Sequence, residues 1–179
     1  MSNVVAVLDA DVLVPILSCD LLLTAFDHDL YRPVITPRIF DEVERNLVGA
    51  HPDTEPGRLR RRVEHMRRAL ELHTRADTGN AVGGINPKDH HVVAAGVEAN
   101  ADVVVTNDRR LQREISALEE PIEALSADEF ATGLVASAAR VMDAVIDDLV
   151  AKRVVRPVSR DDLLSRLERT FPSLVAALA

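Results

Sequence analysis

The stretch Asn3-Val4-Val5-Ala6-Val7-Leu8-Asp9-Ala10-Asp11 decides the fold. From Asn3 to Leu8 it is nearly all apolar and rich in β-branched residues, the composition of a strand buried on both faces of a parallel sheet. A strand of that kind at the start of the chain predicts an α/β protein. Asp9 stands at its carboxyl end, and in open α/β sheets ligands sit in the crevice outside the carboxyl ends of the strands. A second apolar run, Val103-Val104-Val105-Thr106, leads in the same way to Asp108. Acids leaving two parallel strands can converge on one crevice although they are far apart in sequence. An acid at the end of an all-apolar strand also lies close to the core, where it needs a cation or hydrogen-bond donors to stay ionised.

Between these runs the chain alternates in type. Asp11 is read as the cap of a short helical stretch through Leu17, and Asp20 as the cap of another that contains Leu21, Leu22, Leu23 and Phe26. Arg32 to Ile35 is a second short strand. Thr36-Pro37 is a cap and first-turn pair that opens a helix to about Val48, with Ile39, Phe40, Val43 and Leu47 on one face and Glu42 and Glu44 flanking them. A connector from His51 to Gly57 precedes a helix to about His73, marked by Leu59, Val63, Met66 and Leu70. Arg75 to Ile85, with Gly79, Gly83 and Gly84, is loop. Asn86-Pro87 repeats the helix start and puts Asp89 in the first turn of a helix through Val97. Asp102 to Thr106 is a strand, Asp108 opens a short Arg-rich helix, and Pro121 to Leu125 reads as one more strand. Capping boxes at Ser126/Glu129 and Ser159/Asp162 start two further helices, the first running to about Lys152. The expected division is a sheet domain over residues 1–125 and a helical appendage over 126–179.

Composition limits the function. At 179 residues the chain suffices for one α/β domain and a small addition. Its longest apolar run is far below the roughly eighteen residues that span a bilayer, so no membrane association is expected. Met1-Ser2-Asn3 leaves no room for a secretion signal before the first strand, which predicts a cytoplasmic protein. Cys19 is the only cysteine, excluding an internal disulfide and a thiolate zinc cluster, and is read as core filler. A net charge of −8 argues against coating nucleic acid by bulk electrostatics. Local arginine groups, at Arg58, Arg60, Arg61, Arg62, Arg67 and Arg68 and at Arg109, Arg110 and Arg113, offer either a solvated helix face or phosphate contacts.

Asp9, Glu42, Asp89 and Asp108 together form a natural oxygen-donor site for hard divalent cations, and phosphodiester hydrolysis is the matching chemistry. Individually, Asp89 and Asp108 are also explained by helix-start electrostatics. Helical phase does not choose between Glu42 and Glu44, and Glu44 is equally placed to pair with an arginine. His90 and His91 are neighbours that point about 100° apart on a helix, and no histidine pair four residues apart accompanies them, so zinc is not expected.

Val-Leu-Asp-Ala-Asp-Val-Leu-Val at 7–14, Thr-Pro-Arg-Ile-Phe-Asp-Glu-Val-Glu-Arg-Asn-Leu at 36–47, Asn-Pro-Lys-Asp-His-His-Val-Val-Ala-Ala at 86–95 and Val-Val-Val-Thr-Asn-Asp at 103–108 resemble, in this order, a PIN domain. The resemblance covers about residues 3–125. With the tail Val-Ser-Arg-Asp-Asp-Leu-Leu-Ser-Arg-Leu-Glu-Arg at 158–169, the chain is similar to VapC-type toxins with an extra helical C-terminal domain. That resemblance implies a parallel sheet flanked by helices, Mg²⁺ or Mn²⁺, endoribonuclease activity on RNA, a homodimer and an antitoxin partner. It implies Asp9, Glu42, Asp89 and Asp108 as the catalytic, metal-binding acids. The chain departs from the pattern in two places. Asp11 stands where an asparagine is usual, and either adds a ligand or caps the next helix, the cap being the favoured reading. Arg109 and Arg110 follow Asp108 where a further acid is common, which puts a second metal in question. Thr106 and Asn107 are placed either to bind a phosphate or ligand water, or to make the turn.

Two rival readings use the same residues. Asp9-Ala-Asp11 approximates the nucleophile loop of haloacid-dehalogenase-like phosphatases, with Asp9 as nucleophile, Asp11 as general acid and Lys88 as phosphate clamp, but Thr-Asn-Asp-Arg-Arg fits that family's closing motif poorly. A non-catalytic PIN-like module binding RNA or a protein would use the acids as caps and ion pairs and the apolar C-terminal helices as a partner face.

Overall fold

β1 (Val5–Leu8) is buried along nearly its whole length and is hydrogen-bonded on both edges by parallel strands, β2 (Arg32–Val34) and β3 (Val103–Val105). β4 (Glu123–Leu125) extends the sheet beyond β3, giving the all-parallel order β2-β1-β3-β4. The computed structural model describes residues 4–179. The expected strand start at Asn3 and the Met1-Ser2-Asn3 opening lie outside them. From β1 the chain moves outward to β2, then crosses back to lay β3 on the other side of β1. The strand order therefore reverses between β1 and β3, the point at which such sheets open a ligand crevice. Leu8 is registered opposite Val105, so Asp9 comes level with Thr106 as both leave the sheet.

Two short helices follow β1: α1 (Ala10–Leu13) and α2 (Ile16–Asp27). The cap of α1 is Asp9 rather than Asp11: the Asp9 carboxylate accepts the Ala10 N–H at 2.6 Å. Nor does Asp20 cap a helix. Pro15 breaks the chain earlier, so Asp20 falls inside α2 and pairs with Arg153 at 3.7 Å. After β2, α3 (Pro37–Ala50) is capped by the Thr36 side chain and buries Ile39, Phe40, Val43 and Leu47, as its apolar spacing requires. α4 (Pro56–Ala69) packs beside α3 and ends in a 3-10 turn, Glu71–His73.

α5 (His90–Ala99) begins three residues later than its sequence suggests. Asn86 accepts the Asp89 N–H at 2.9 Å in a turn that absorbs Pro87, which leaves Asp89 at the cap position instead of in the first helical turn. The helix rests on the sheet through Gly96. A Cβ there would meet Ile122 Cδ1 at 2.5 Å and Val7 Cγ2 at 3.4 Å, so the missing side chain sets how closely helix and sheet approach.

α6 (Arg109–Ser116) connects β3 to β4, and α7 (Ala127–Ala151), α8 (Arg160–Leu167) and α9 (Pro172–Ala177) complete the chain. Both expected capping boxes, Ser126/Glu129 and Ser159/Asp162, are formed. α7 is interrupted at Ala138, whose φ of −154° and ψ of 56° are not helical. Before the break, Phe130 meets Tyr31 edge-on at 5.0 Å; after it, Met142, Val145, Ile146 and Leu149 are buried against α2. These side chains and Leu163, Leu167, Phe171 and Leu174 belong to the same hydrophobic cluster as the sheet. Cys19 is core, as expected, 3.3 Å from the Met66 sulfur, and burial pushes its thiol up to about 11. Among the described residues no helix is long and apolar enough to cross a membrane.

Candidate active site

The register of β1 and β3 builds the site. Asp9 Oδ1 caps α1, and its Oδ2 accepts the Thr106 hydroxyl at 2.7 Å. Thr106 is fully buried, and its Oγ1 also accepts the Asp108 N–H at 3.1 Å. The Asp11 carboxylate turns back to the same point: its Oδ2 accepts the Asn107 N–H at 2.9 Å and lies 3.4 Å from Thr106 Oγ1. Asp11 Oδ1 is buried without a hydrogen-bond partner. The expected role of Asp11 as a helix cap is thus replaced by a place in the crevice, because the first turn of α1 faces the end of β3. Asn107 serves the turn: its side chain accepts the Ala127 N–H at 3.1 Å and ties the site to the start of α7.

Three further acids close in from helices. Glu42 comes from the middle of α3, within electrostatic range of Asp9, and its Oε2 lies 3.3 Å from Nε2 of the buried His91, which is not aligned for a hydrogen bond. Glu44 points away and pairs with Arg60 at 3.8 Å, so of the two glutamates only Glu42 reaches the crevice. Asp89 lies at the start of α5 and Asp108 caps α6, accepting the Arg110 N–H at 2.8 Å. Each of the four acids expected from the sequence therefore borders the crevice, with Asp11 added.

The electrostatics reflect crowding. Asp9 titrates above the usual carboxylate range because it is buried, with the charges of Glu42 and Asp89 adding to the effect. Asp11 is pushed up to about 7, by burial first and the Asp9 charge next. Asp89 is raised by burial despite Lys88 and Arg110 nearby. Burial also pushes Glu42 upward, but its His91 neighbour outweighs this and holds it below the usual range. At Asp108 the N–H groups of Arg110 and Leu111, with Lys88, likewise overcome burial.

The donor set suits a hard cation: it is all oxygen, it repels itself, and it holds one buried oxygen with no donor. Among the described residues, however, no three His, Cys, Asp or Glu side chains converge tightly enough to hold an ion as they stand. Lys88 and Arg110 lie against Asp89 and Asp108; the sequence offered both as phosphate contacts, but not their pairing with these two acids. Thr106 as the central hydroxyl was half legible, since strand register alone sets it opposite Asp9.

A parallel four-stranded sheet with acids gathered at its switch point defines an α/β domain with a polar crevice at the strands' carboxyl ends. A family model described as PIN domain matches residues 5–110, and the chain belongs to that family. PIN domains are typically metal-dependent nucleases, and those nucleases bind RNA. No curated protein and no solved structure matches the chain.

Proposed function

We propose that this protein is a Mg²⁺- or Mn²⁺-dependent endoribonuclease, the toxin of a toxin-antitoxin pair. The observation that carries the reading is the gathering of the Asp9 and Asp11 carboxylates and the Asp108 N–H on the buried Thr106 hydroxyl, with Glu42 and Asp89 within electrostatic range of Asp9, in a PIN domain. Asp9, Glu42, Asp89 and Asp108 are the proposed catalytic, metal-holding acids. A bound divalent ion supplies positive charge to the phosphoryl oxygens and makes water more acidic. The chain's own residues orient the site. Thr106 and the Ala10 N–H fix the two Asp9 oxygens, and the Asn107 N–H fixes Asp11 Oδ2, leaving Asp11 Oδ1 without a donor. None of the five aromatic side chains is exposed, so RNA is held through its backbone rather than by base stacking.

The antitoxin partner rests on the toxin-like tail at 158–169 and on a groove of about 910 Å³ between α2, α4 and the end of α7. Its floor includes Leu23, Met66 and Leu149, and its rim Arg58, Arg61 and Lys152, which suits an acidic segment with an apolar face. Of the rim, Arg61 already pairs with Glu55 at 3.6 Å and Lys152 with Asp148 at 3.2 Å; elsewhere on α4, Arg60 pairs with Glu44, Arg67 with Asp41 and over the Phe40 ring, and Arg68 with Glu64. The proposed homodimer is open to sedimentation analysis, and a cytoplasmic location follows from the toxin reading.

Purified protein incubated with total cellular RNA and Mn²⁺ is expected to give defined fragments, with none in EDTA. Asp9→Asn and Asp89→Asn are expected to abolish cleavage while leaving the fold intact: the first removes charge from a crowded, like-charged site, and the second keeps an amide oxygen for Arg110 and Lys88. Retained cleavage in Asp9→Asn would sink the reading; loss of folding in both variants would make the acids structural. Failure of all samples to cut, with no saturable Mn²⁺ binding, favours the non-catalytic binding module.

A further inference from the structure

The carboxylates of the crevice divide into two unequal halves. Lys88 Nζ lies 3.7 Å from Asp89 Oδ1 and 3.5 Å from Asp108 Oδ2, while Arg110 Nη2 lies 2.6 Å from Asp89 Oδ2 and 3.7 Å from Asp108 Oδ2. Each cation thus bridges the same two acids. Among the described residues, no lysine or arginine stands within ion-pair distance of Asp9, Asp11 or Glu42; His91 lies beside Glu42, and Arg45 and Arg38 act on it only from further off. One half is bridged by cations in direct contact and the other is not.

The two cations are held in place. Asn86 Oδ1 accepts the Lys88 N–H at 3.1 Å, fixing the turn from which that side chain leaves. The Arg110 N–H is capped by Asp108, and its Nε lies 3.7 Å from Glu114 one helical turn further on. Both keep donors to spare. An ammonium has three N–H groups and a guanidinium five, and the contacts to Asp89, Asp108 and Glu114 leave Arg110 Nη1 uncommitted. The Lys88 side chain is 60% exposed and that of Arg110 37%, so a phosphate in the crevice can reach them.

We propose that Lys88 and Arg110 stand in for a second metal ion. This narrows the four-acid set proposed above: the chain takes one divalent cation, on the side of Asp9, Asp11 and Glu42, while the ammonium and guanidinium neutralise Asp89 and Asp108 and bind a non-bridging oxygen of the phosphodiester. In hydrolysis the oxygen of water forms the new bond to phosphorus, the bond from phosphorus to one ribose oxygen breaks, and that oxygen leaves with a proton from the water. Negative charge grows on the non-bridging oxygens as this happens, and fixed N–H donors aimed at them stabilise the transition state more than the ground state. The planar arginine fork suits this task, and a carboxylate on its other edge keeps it oriented.

The inference rests on the nuclease reading, and one set of measurements separates the two. Calorimetric titration of the full chain with Mn²⁺ is expected to give one ion per chain, lost in Asp9→Asn. Lys88→Gln, an exposed change that leaves the fold alone, and Arg110→Gln are expected to hold that ion with affinity within about threefold of the parent. Their kcat on RNA should fall by about 10²–10³-fold each, the loss typical of one transition-state donor. In the double variant, with Asp89 and Asp108 uncovered, a second Mn²⁺ is expected to bind, and Arg110→Lys should recover part of the lost rate. Two ions per parent chain, or full kcat in the double variant, overturns the inference and leaves the nuclease standing. No ion and no cleavage in the parent chain overturns both.

Discussion

Thr106 has the most connected hydroxyl in the crevice, holding Asp9 Oδ2 at 2.7 Å, approaching Asp11 at 3.4 Å and accepting the Asp108 N–H at 3.1 Å. Thr106→Val keeps the shape but removes every one of these contacts, leaving a buried carboxylate oxygen and an N–H without partners. Hydrogen bonds to charged groups contribute about 1.5–3 kcal/mol, so the variant should lose roughly that much stability in chemical denaturation and bind Mn²⁺ more weakly. Thr106→Ser should behave like the parent; equal loss in both would assign the effect to packing of the methyl group. At this scale the sequence was informative about acids and silent about their partners. Asp9 stood out because an acid ending an apolar strand needs compensation. For Asp11 the sequence favoured a cap over an added ligand because cap and crevice residues share the same local pattern, and only the position of β3 distinguishes them. Glu42 and Glu44 lie two residues apart on α3, and the choice between them was made by what packs on each side: His91 and the crevice for Glu42, Arg60 for Glu44.

Elements carry these side chains into place, and their boundaries were readable where a cap stood at the junction. Thr36, Ser126 and Ser159 each start a helix where expected. The exceptions arose where a proline rerouted the chain, at Pro15 before α2 and at Pro87 before α5. α7 depends on its capping box, in which Ser126 Oγ accepts the Glu129 N–H at 3.2 Å and Glu129 Oε2 accepts the Ser126 N–H at 2.9 Å. Ser126→Ala should cost about 1 kcal/mol in thermal or chemical denaturation. Ala127, the first residue of that helix, donates to the Asn107 side chain, so fraying there loosens the turn after β3. The variant's Mn²⁺ affinity is expected to fall less than that of Thr106→Val, because the Thr106 contacts remain; an equal fall would mean that the α7 start controls the crevice directly.

For the whole molecule, the helices after the sheet share its core. Ile146 on the second segment of α7 is fully buried in the cluster that also contains Val7, Leu21 and Leu22. Ile146→Ala should destabilise by about 2–5 kcal/mol, and because the core is continuous the loss should appear as one cooperative transition shifted to lower denaturant. A separate early transition would mark residues 126–179 as an independently unfolding unit. By itself the sequence determined the parallel α/β class, the PIN resemblance and the acids at element ends, Asp9, Asp89 and Asp108, because apolar periodicity, caps and strand-end carboxylates are local signals written in consecutive residues. Only the tertiary structure decided which glutamate enters the crevice, that Asp11 joins it, that Thr106 links the acids, and that Lys88 and Arg110 cover two of them. Those are contacts between residues tens of positions apart, set by strand register and helix packing, and no local pattern encodes them.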